Sequence, residues 1–395
     1  MYLIEKHIIN SNHSLYNECD RLCFLSKNIY NQALYNVRQH FFQTKQYLNY
    51  NSNYHVTKEQ ECYSYLPTKV FCQTVKMVDK NFKSFFALLK NKTVKNKLPK
   101  YLDITKGRYL TIFPKQALGL REFKRSGKVH LSKTDIYVNT KVSDFNLIKE
   151  VRIVPRLRQY VIEIVYFKQE KEIKDNNIVG SIDLGLNNLA TVTYNNGDSP
   201  QIINGRPLKS INQYFNKNKA HYQSKLQGNQ KNSRRISNLT NKRNNKINDY
   251  LHKASRELVN QLVSKGISTL VIGKNANMKQ DINLGKVNNQ NFVQLPIMRF
   301  ADMVKYKCEL EGINVIFHEE SYTSKCSFLD NEEICKHEAY LGKRVKRGLF
   351  KSTQGYFINA DVNGSYNIMR KAVPNAFVNG IEGLGVNPIV LTIKK

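Results

Sequence analysis

Acidic residues are scarce in this sequence. Its 395 residues hold 31 Asp and Glu against 62 Lys and Arg, a formal net charge of +31. Such an excess implies a polyanionic partner, and nucleic acid is the default. Long apolar runs are missing too. No uninterrupted stretch approaches the roughly 18 residues of a membrane-spanning helix, and the basic residues are spread along the chain, which ranks a membrane surface low. The opening MYLIEKHIIN alternates and carries a Glu, the pattern of a strand and not of a signal peptide. The seven cysteines are odd in number and irregular in spacing, which argues against a disulfide framework and for a reducing compartment. What is plentiful is Tyr (23), Phe (19) and Asn. These flat and polar groups suit stacking on bases, or equally reflect an AT-rich genome. The length exceeds one ordinary domain and allows a large core.

The stretch Ile178–Tyr194, IVGSIDLGLNNLATVTY, organises the rest. Ile178, Val179 and Ile182 suit a buried strand, yet Asp183 sits in the run. Leu189–Tyr194 resumes as a second strand. Asn195-Asn196-Gly197 supplies a hairpin turn, and Gln201–Ile203 begins a third strand. An ionised Asp in a strand core needs a positive partner. A metal ion and a set of backbone amides are equally good candidates at this point.

Before this stretch, residues 1–10 read as a strand. Leu22, Leu25, Ile29, Ala33 and Val37 then fall at helical spacing, as do Phe71, Val75, Val78, Phe82, Phe85, Phe86 and Leu89. The second stripe reads as core packing. Cys19 and Cys23, one turn apart with no further ligands nearby, read as small apolar residues. From Pro99 short strands return, ending in a hairpin of Glu150–Val154 and Gln159–Phe167. A strand, helices and more strands suggest a β-barrel-like domain with a helical insertion, an α+β N-terminal lobe. The polar KQEKEIKDNN (168–177) looks like a linker.

After the three strands, Lys209–Lys253 holds eleven Lys and Arg and one acid, Asp249. Such a block is usually a solvated helix face; the near-absence of acids favours a phosphate-facing surface. Ser268–Ile272 (STLVI) is a buried strand ending in Gly273. Pro296–Glu311 is a helix stopped by Gly312, and Ile313–Phe317 is another strand, followed by His318-Glu319-Glu320. A basic stretch without evident order follows. Ala360 to Lys371 is the last helix. Three strands, then helix, strand, helix, strand, helix is the element order of an α/β ribonuclease H-like fold.

In that fold the strand ends carry carboxylates into one site. Two divalent ions about 3.5–4 Å apart stabilise an in-line displacement at phosphorus, and magnesium suits oxygen ligands. Asp183 is the first ligand and Asp361 the second, although Asp361 also reads as a helix N-cap. A third acid belongs at the end of STLVI. That place is Gly273, and no acid lies between Leu270 and Gln280.

SIDLGLNNLAT and NADVNGSYNIMRKA resemble the first and third acidic motifs of a RuvC-like nuclease domain, and more narrowly those of TnpB, the transposon-encoded RNA-guided DNA endonuclease related to type V CRISPR effectors. LCFLSKNIYNQALY resembles the helical segment of that family, and SYTSKCS the stretch after its last core strand. The likeness is clearest from Ile178 onward and fainter over residues 1–170. Some members are similar in placing Gly or Pro where Gly273 stands, with a replacement Glu one strand later. Here that is Glu320, since Glu319 would point to the opposite face. Strands lie about 4.8 Å apart, so a neighbouring strand end can serve the same ion. The opposing reading makes both acids surface groups and the protein catalytically dead. The family often has paired CxxC motifs between its last strand and the third acidic motif. Cys326, Cys335 and His337 are what this interval offers, so a degenerate finger without zinc is expected. In its place GKRVKRGLFKS resembles a strand-gripping loop.

The resemblance implies three parts. These are a wedge domain (1–12 and 96–172), a helical recognition insert (13–95) and a RuvC-like nuclease domain (177–395). The last includes a basic helical insert at about 205–262 and a target-strand loop at about 322–358. It implies a prokaryotic, cytoplasmic, nucleoid-associated endonuclease that takes a transposon-end-derived guide RNA and cuts double-stranded DNA beside a short motif, using two Mg²⁺ held by Asp183, Glu320 and Asp361. Arg234, Arg235, Lys242, Arg243, Lys343, Arg344, Lys346 and Arg347 are the expected nucleic-acid contacts. A nuclease-dead guided regulator and an unguided RNA-binding protein are the alternatives.

Overall fold

In the computed structural model, residues 1–90, 97–274, 296–378 and 380–393 are described. The chain divides into two compact units, Met1–Lys168 and Gln169–Lys395. Residues 91–95 of the expected helical insert lie outside the described residues.

The first unit runs β1 (Tyr2–Asn10), α1 (Tyr16–Thr44), α2 (Tyr50–Lys58), α3 (Thr68–Lys90), β2 (Thr111–Pro114), α4 (Leu120–Ser126), β3 (Lys128–His130), β4 (Tyr137–Asn139), β5 (Ile148–Arg156) and β6 (Gln159–Phe167). Its barrel-like part is an antiparallel sheet of order β1-β6-β5-β2, with β3 and β4 paired separately. β1 pairs with β6 from Tyr2↔Phe167 to Asn10↔Gln159, so the first strand closes against the last and the helices are the insertion. One core joins the buried stripes of α1 (Leu22, Ile29, Ala33, Val37) and α3 (Phe71, Val75, Val78, Phe82) to Val151, Ile153, Ile162 and Ile164. Cys19 and Cys23 are fully buried in it, and burial pushes the Cys19 thiol up to about 12.

The second unit runs β7 (Val179–Leu184), β8 (Asn188–Tyr194), β9 (Gln201–Asn204), α5 (Arg206–Gln223), α6 (Arg234–Ser264), β10 (Thr269–Lys274), α7 (Ile297–Leu310), β11 (Asn314–Glu319), β12 (Lys343–Lys346), β13 (Leu349–Lys351), β14 (Phe357–Asn359), α8 (Ala360–Ala372) and β15 (Ile389–Leu391). The main sheet has order β11-β10-β7-β8-β9-β15. β7 is flanked by antiparallel β8 and parallel β10, and β11 continues in parallel. Buried on both faces, β7 and β10 need near-continuous apolar sequence, which explains VGSIDL and TLVIG. Gly197 turns the β8–β9 connection with φ +83°.

The basic region is two helices parted at 224–233, not one. The Ser233 side chain caps α6 by accepting from the Ile236 amide at 3.3 Å. The C-terminal half of α6 is core: Ile247, Leu251, Ala254, Leu258 and Leu262 pack with Phe300 and Val304 of α7 and with Leu270 and Ile272. The stretch 168–177 has no helix or strand and starts where the two units divide, and it is tied to the second unit. Lys171 and Lys174 donate backbone bonds to Leu310 and Gly312, and Lys171 pairs with Glu311 at 2.6 Å. The stretch at 322–358 is not a free loop either. β12, β13 and β14 form an antiparallel sheet, and buried Glu332 holds its approach by accepting from the Ser327 and Leu341 amides. Among the described residues, no helix is long and apolar enough to cross a membrane.

Candidate active site

Three parallel strand ends and one helix start build the site. Ile182 pairs with Ile272, and Gly273 with His318. Asp183 and Gly273 are therefore the next residues along two neighbouring strands, and β11 ends beside them. α8 lies against β7 and β8, fixed by a buried hydroxyl network. Ser181 Oγ donates to the Ser365 carbonyl at 2.6 Å, Ser365 Oγ donates to the Ser181 carbonyl at 3.1 Å, and Thr193 Oγ1 meets both hydroxyls at 2.8 and 3.0 Å. Buried polar groups that satisfy one another in this way set a unique register.

The segment NADVNGSYN can now be read residue by residue. Asn359 is the N-cap, its side chain accepting from the Asp361 and Val362 amides; the capping reading of Asp361 is thus overturned. Gly364 leaves room for Asp183, since a Cβ there would stand 2.9 Å from Asp183 Oδ2. Asn363 and Asn367, one turn apart on another face, donate to the Cys326 carbonyl at 2.9 and 2.8 Å, holding the chain that leaves β11. Tyr366 stacks on Phe328 with centroids 4.6 Å apart.

The Glu320 carboxylate occupies the space that glycine leaves at 273. A Cβ at that position would lie 2.7 Å from Glu320 Oε2. Glu319 turns away, bonded to Lys371 Nζ at 2.8 Å and to Ser321. Its carboxyl is held below the usual range by Lys371 first and Ser321 second, whereas burial and then Glu319 push Glu320 up. Asp183 is raised well above its ordinary value, first by burial and then by the charges of Glu320 and Asp361, with Arg344 opposing. Asp183 therefore feels the charge of both other carboxylates. Asp361 is engaged from both sides: Asn188 Nδ2 donates to Oδ2 at 2.7 Å, and Arg344 Nη2 to Oδ1 at 3.2 Å.

The donor set consists of hard oxygens, the chemistry that magnesium prefers. Among the described residues no three His, Cys, Asp or Glu side chains are grouped so that they could hold a metal ion as they stand. Arg344 pairs with Asp361, and an ion that retains several waters takes only one or two carboxylates directly. The residues fit a hydrated divalent cation. Around Cys335 the fit to zinc is poor. Cys335 Sγ meets His337 Nε2 at 3.3 Å, while Cys326 Sγ donates to the Cys335 carbonyl at 3.7 Å.

Of the expected nucleic-acid contacts, Arg344 reaches the carboxylates and Arg347 approaches α5. Lys209 there is lowered by burial first, then by Arg347 and Arg206, and bonds Asn187 of the first acidic motif. Lys343 and Lys346 are exposed on the same hairpin; Arg234, Arg235 and Lys242 are exposed on α6, and Arg243 is half-buried. Sequence reasoning missed Asn188 and Lys209. Asn188 lay inside SIDLGLNNLAT, but nothing local marked it.

Antiparallel β7–β9, parallel β10 and β11, and an acid-bearing helix across the sheet define a RuvC-like fold of the ribonuclease H type, here following an α+β lobe. A family model described as a probable transposase (OrfB_IS605) matches residues 159–279, and a Cas12f1-like TNB domain model matches 298–368. TnpB-like protein ORF457 of Acidianus two-tailed virus is 24% identical over 408 residues, 89% of this chain and 83% of that protein. The CRISPR-associated endodeoxyribonuclease Cas12f1 of Sulfoacidibacillus thermotolerans is 25% identical over 233 residues, 56% of this chain and 51% of that one. A solved Cas12f1-sgRNA-target DNA complex shares the fold with TM-score 0.55 at 17% identity, over 90% of this chain and 82% of its own. The chain is thus similar to TnpB-like and Cas12f1 proteins.

Proposed function

We propose that the chain is a mobile-element endonuclease that is guided by RNA and cuts double-stranded DNA beside a short recognised motif. The observation that carries this reading is the Glu320 carboxylate seated over Gly273, with its charge and that of Asp361 both acting on buried Asp183. It supports a complete acidic site in which the third carboxylate comes from β11 instead of β10. Asp183, Glu320 and Asp361 hold the cations, and Asn188 fixes the orientation of Asp361. Bound magnesium ions supply an activated water and neutralise charge developing at phosphorus. Arg344, Arg347, Lys209 and the exposed face of α6 line up cationic groups for a strand.

The relatives named above, one an endodeoxyribonuclease and one solved with guide RNA and target DNA, support a guide RNA and duplex DNA as partners. Pairing then reads sequence while the protein reads backbone shape. The wedge and recognition roles belong to 1–12 with 96–172 and to 13–95, and the working compartment is the nucleoid-bearing cytoplasm. The deciding experiment is plasmid cleavage by the chain with its co-purified RNA and Mg²⁺. Asp183→Ala is expected to abolish cutting and keep RNA binding; lost RNA binding would mark Asp183 as structural. The Arg344–Asp361 pair favours one second reading, a guided binder that does not cut, and intact plasmid under these conditions would establish it.

A further inference from the structure

The α5–α6 hairpin carries a cavity of about 280 Å³ remote from the carboxylates in sequence, lined among others by Ser210, Tyr214, Phe215, Lys242, Arg243 and Lys246. Ligand pockets for drug-sized molecules run to about 300–1,000 Å³, so this one has room for a single flat ring. Its floor is fixed. Phe215 is 9% exposed, and the Arg243 guanidinium lies 5.6 Å from its ring centroid. Arg243 is pinned by Nε donating to Asn212 Oδ1 at 2.8 Å and by Nη1 donating to Asn244 Oδ1 at 2.9 Å. The buried Asn212 has an amide nitrogen with no hydrogen-bond partner. Its mouth is open: Tyr214 is 63% exposed and has no aromatic partner among the described residues. Lys242 and Lys246, one turn apart, are exposed beside it. No acid occurs from Arg206 to Asn248, and Asp249 is paired with Lys253 at 3.0 Å.

A solvated helix face would mix acids with these bases and would not leave a bare ring over a fixed cavity. An aromatic platform flanked by unneutralised cations is the chemistry that takes an unpaired nucleotide, the base stacking and the phosphates meeting lysine. We infer that this cavity is a subsite for one unpaired nucleotide of the RNA that the chain carries, with the base on Tyr214 and the flanking phosphates on Lys242 and Lys246. The inference rests on the RNA-binding reading above. Folded RNA displays splayed loop and bulge bases; the DNA strand that guide pairing displaces is the single-stranded competitor, and the second arm of the test separates the two.

The test uses the full chain and its co-purified RNA, re-transcribed with 4-thiouridine, with a 4-thiothymidine single-stranded DNA of the same sequence as the second arm. Photocrosslinking and peptide mapping are expected to join the RNA to the peptide containing Tyr214. Tyr214→Ala is expected to weaken RNA binding about 5- to 150-fold without changing its salt dependence, and Tyr214→Phe to bind like wild type. Lys242→Ala is expected to flatten the salt dependence. Wild-type affinity in Tyr214→Ala, or crosslinks that map elsewhere, would overturn the subsite while leaving RNA binding intact. A crosslink at Tyr214 from DNA and none from RNA would overturn the assignment to RNA. Failure of wild type and Tyr214→Phe alike to bind RNA would remove the underlying reading and this one with it.

Discussion

A single methyl group at residue 273 is expected to disable cleavage. An ideal Cβ there would stand 2.6 Å from Ile368 Cδ1, 2.7 Å from Glu320 Oε2 and 3.3 Å from the Ile182 carbonyl oxygen. Ordinary contact begins at 3.4 Å, so the Glu320 carboxylate must retreat by about 0.7 Å. The Ile368 methyl is the far end of a flexible side chain and can swing aside. Misplacing a catalytic group by about 1 Å costs of the order of 10²-fold in rate. Overpacking costs about 1–3 kcal/mol of stability, which a folded chain can absorb while still holding RNA. The assay is the initial rate of plasmid cutting by wild type, Gly273→Ala, Glu320→Ala and the double variant. Glu320→Ala is expected to reach background and Gly273→Ala to lose about 10²-fold. The double variant should be no worse than Glu320→Ala, because both changes act on one carboxylate. Full activity in Gly273→Ala beside a dead Glu320→Ala would refute the steric reasoning. Full activity in both would remove Glu320 from the site.

Three further outcomes follow from the same geometry. Asn188→Ala leaves Asp361 held by Arg344 alone and is expected to slow cutting about 10- to 100-fold, the usual effect of losing an outer partner of a metal-binding group; an unchanged rate would make Asn188 a bystander. Ser365→Ala breaks the hydroxyl network beneath Asp183 and is expected to cost about 1–3 kcal/mol, about 2–4 °C of unfolding midpoint per kcal/mol in a domain of this size, read by thermal unfolding. Lys307, buried and donating to the His252 carbonyl and Ser255 Oγ, is lowered to about 8 by burial first and then Arg256. Between pH 8 and the ordinary lysine range the unfolded amine binds the proton that the folded one has lost, so stability from this group rises with pH. The wild-type midpoint should therefore climb relative to Lys307→Met across that window, and parallel profiles would contradict it.

Much of the second unit was legible because its strands are buried on both faces and its helices carry apolar stripes. In the first unit, likewise, β6 runs over Gln159–Phe167, the span that its apolar run defines. α2 was not legible. YNSNYHVTK shows no apolar face because its inward residues are Asn53 and Thr57, bonded to the Ala33 carbonyl and to Asn36. Propensity and periodicity do not see a helix buried through hydrogen bonds. β12 to β14 were hidden for a related reason. All four residues of β12 are exposed, and side chains of Asp330 and Glu332 accept backbone amides that hold the surrounding chain. The carboxylates at 183 and 361 stood out as acids in apolar or capping contexts. Asn188 and Ser365 acquire meaning only when distant strands and α8 meet.

On the proposed reading, an acid just past the end of β11 serves in place of one on β10, and the sheet allows this. Parallel neighbours end on the same edge about 4.8 Å apart, so a glutamate can reach one point in space from either strand, provided the abandoned position carries no side chain. Gly273 meets that condition, and the hydrogen bonds of Glu319 to Lys371 and Ser321 settle which of two adjacent acids turns inward. The proposed site would thus be specified by where negative charge converges and not by which strand supplies it. Glycine at 273 and glutamate at 320 form a pair: either one alone leaves a gap or a clash. That pairing makes the four-variant rate comparison decisive, because a glycine present only for backbone freedom would tolerate alanine here, at a β-strand position with no positive φ.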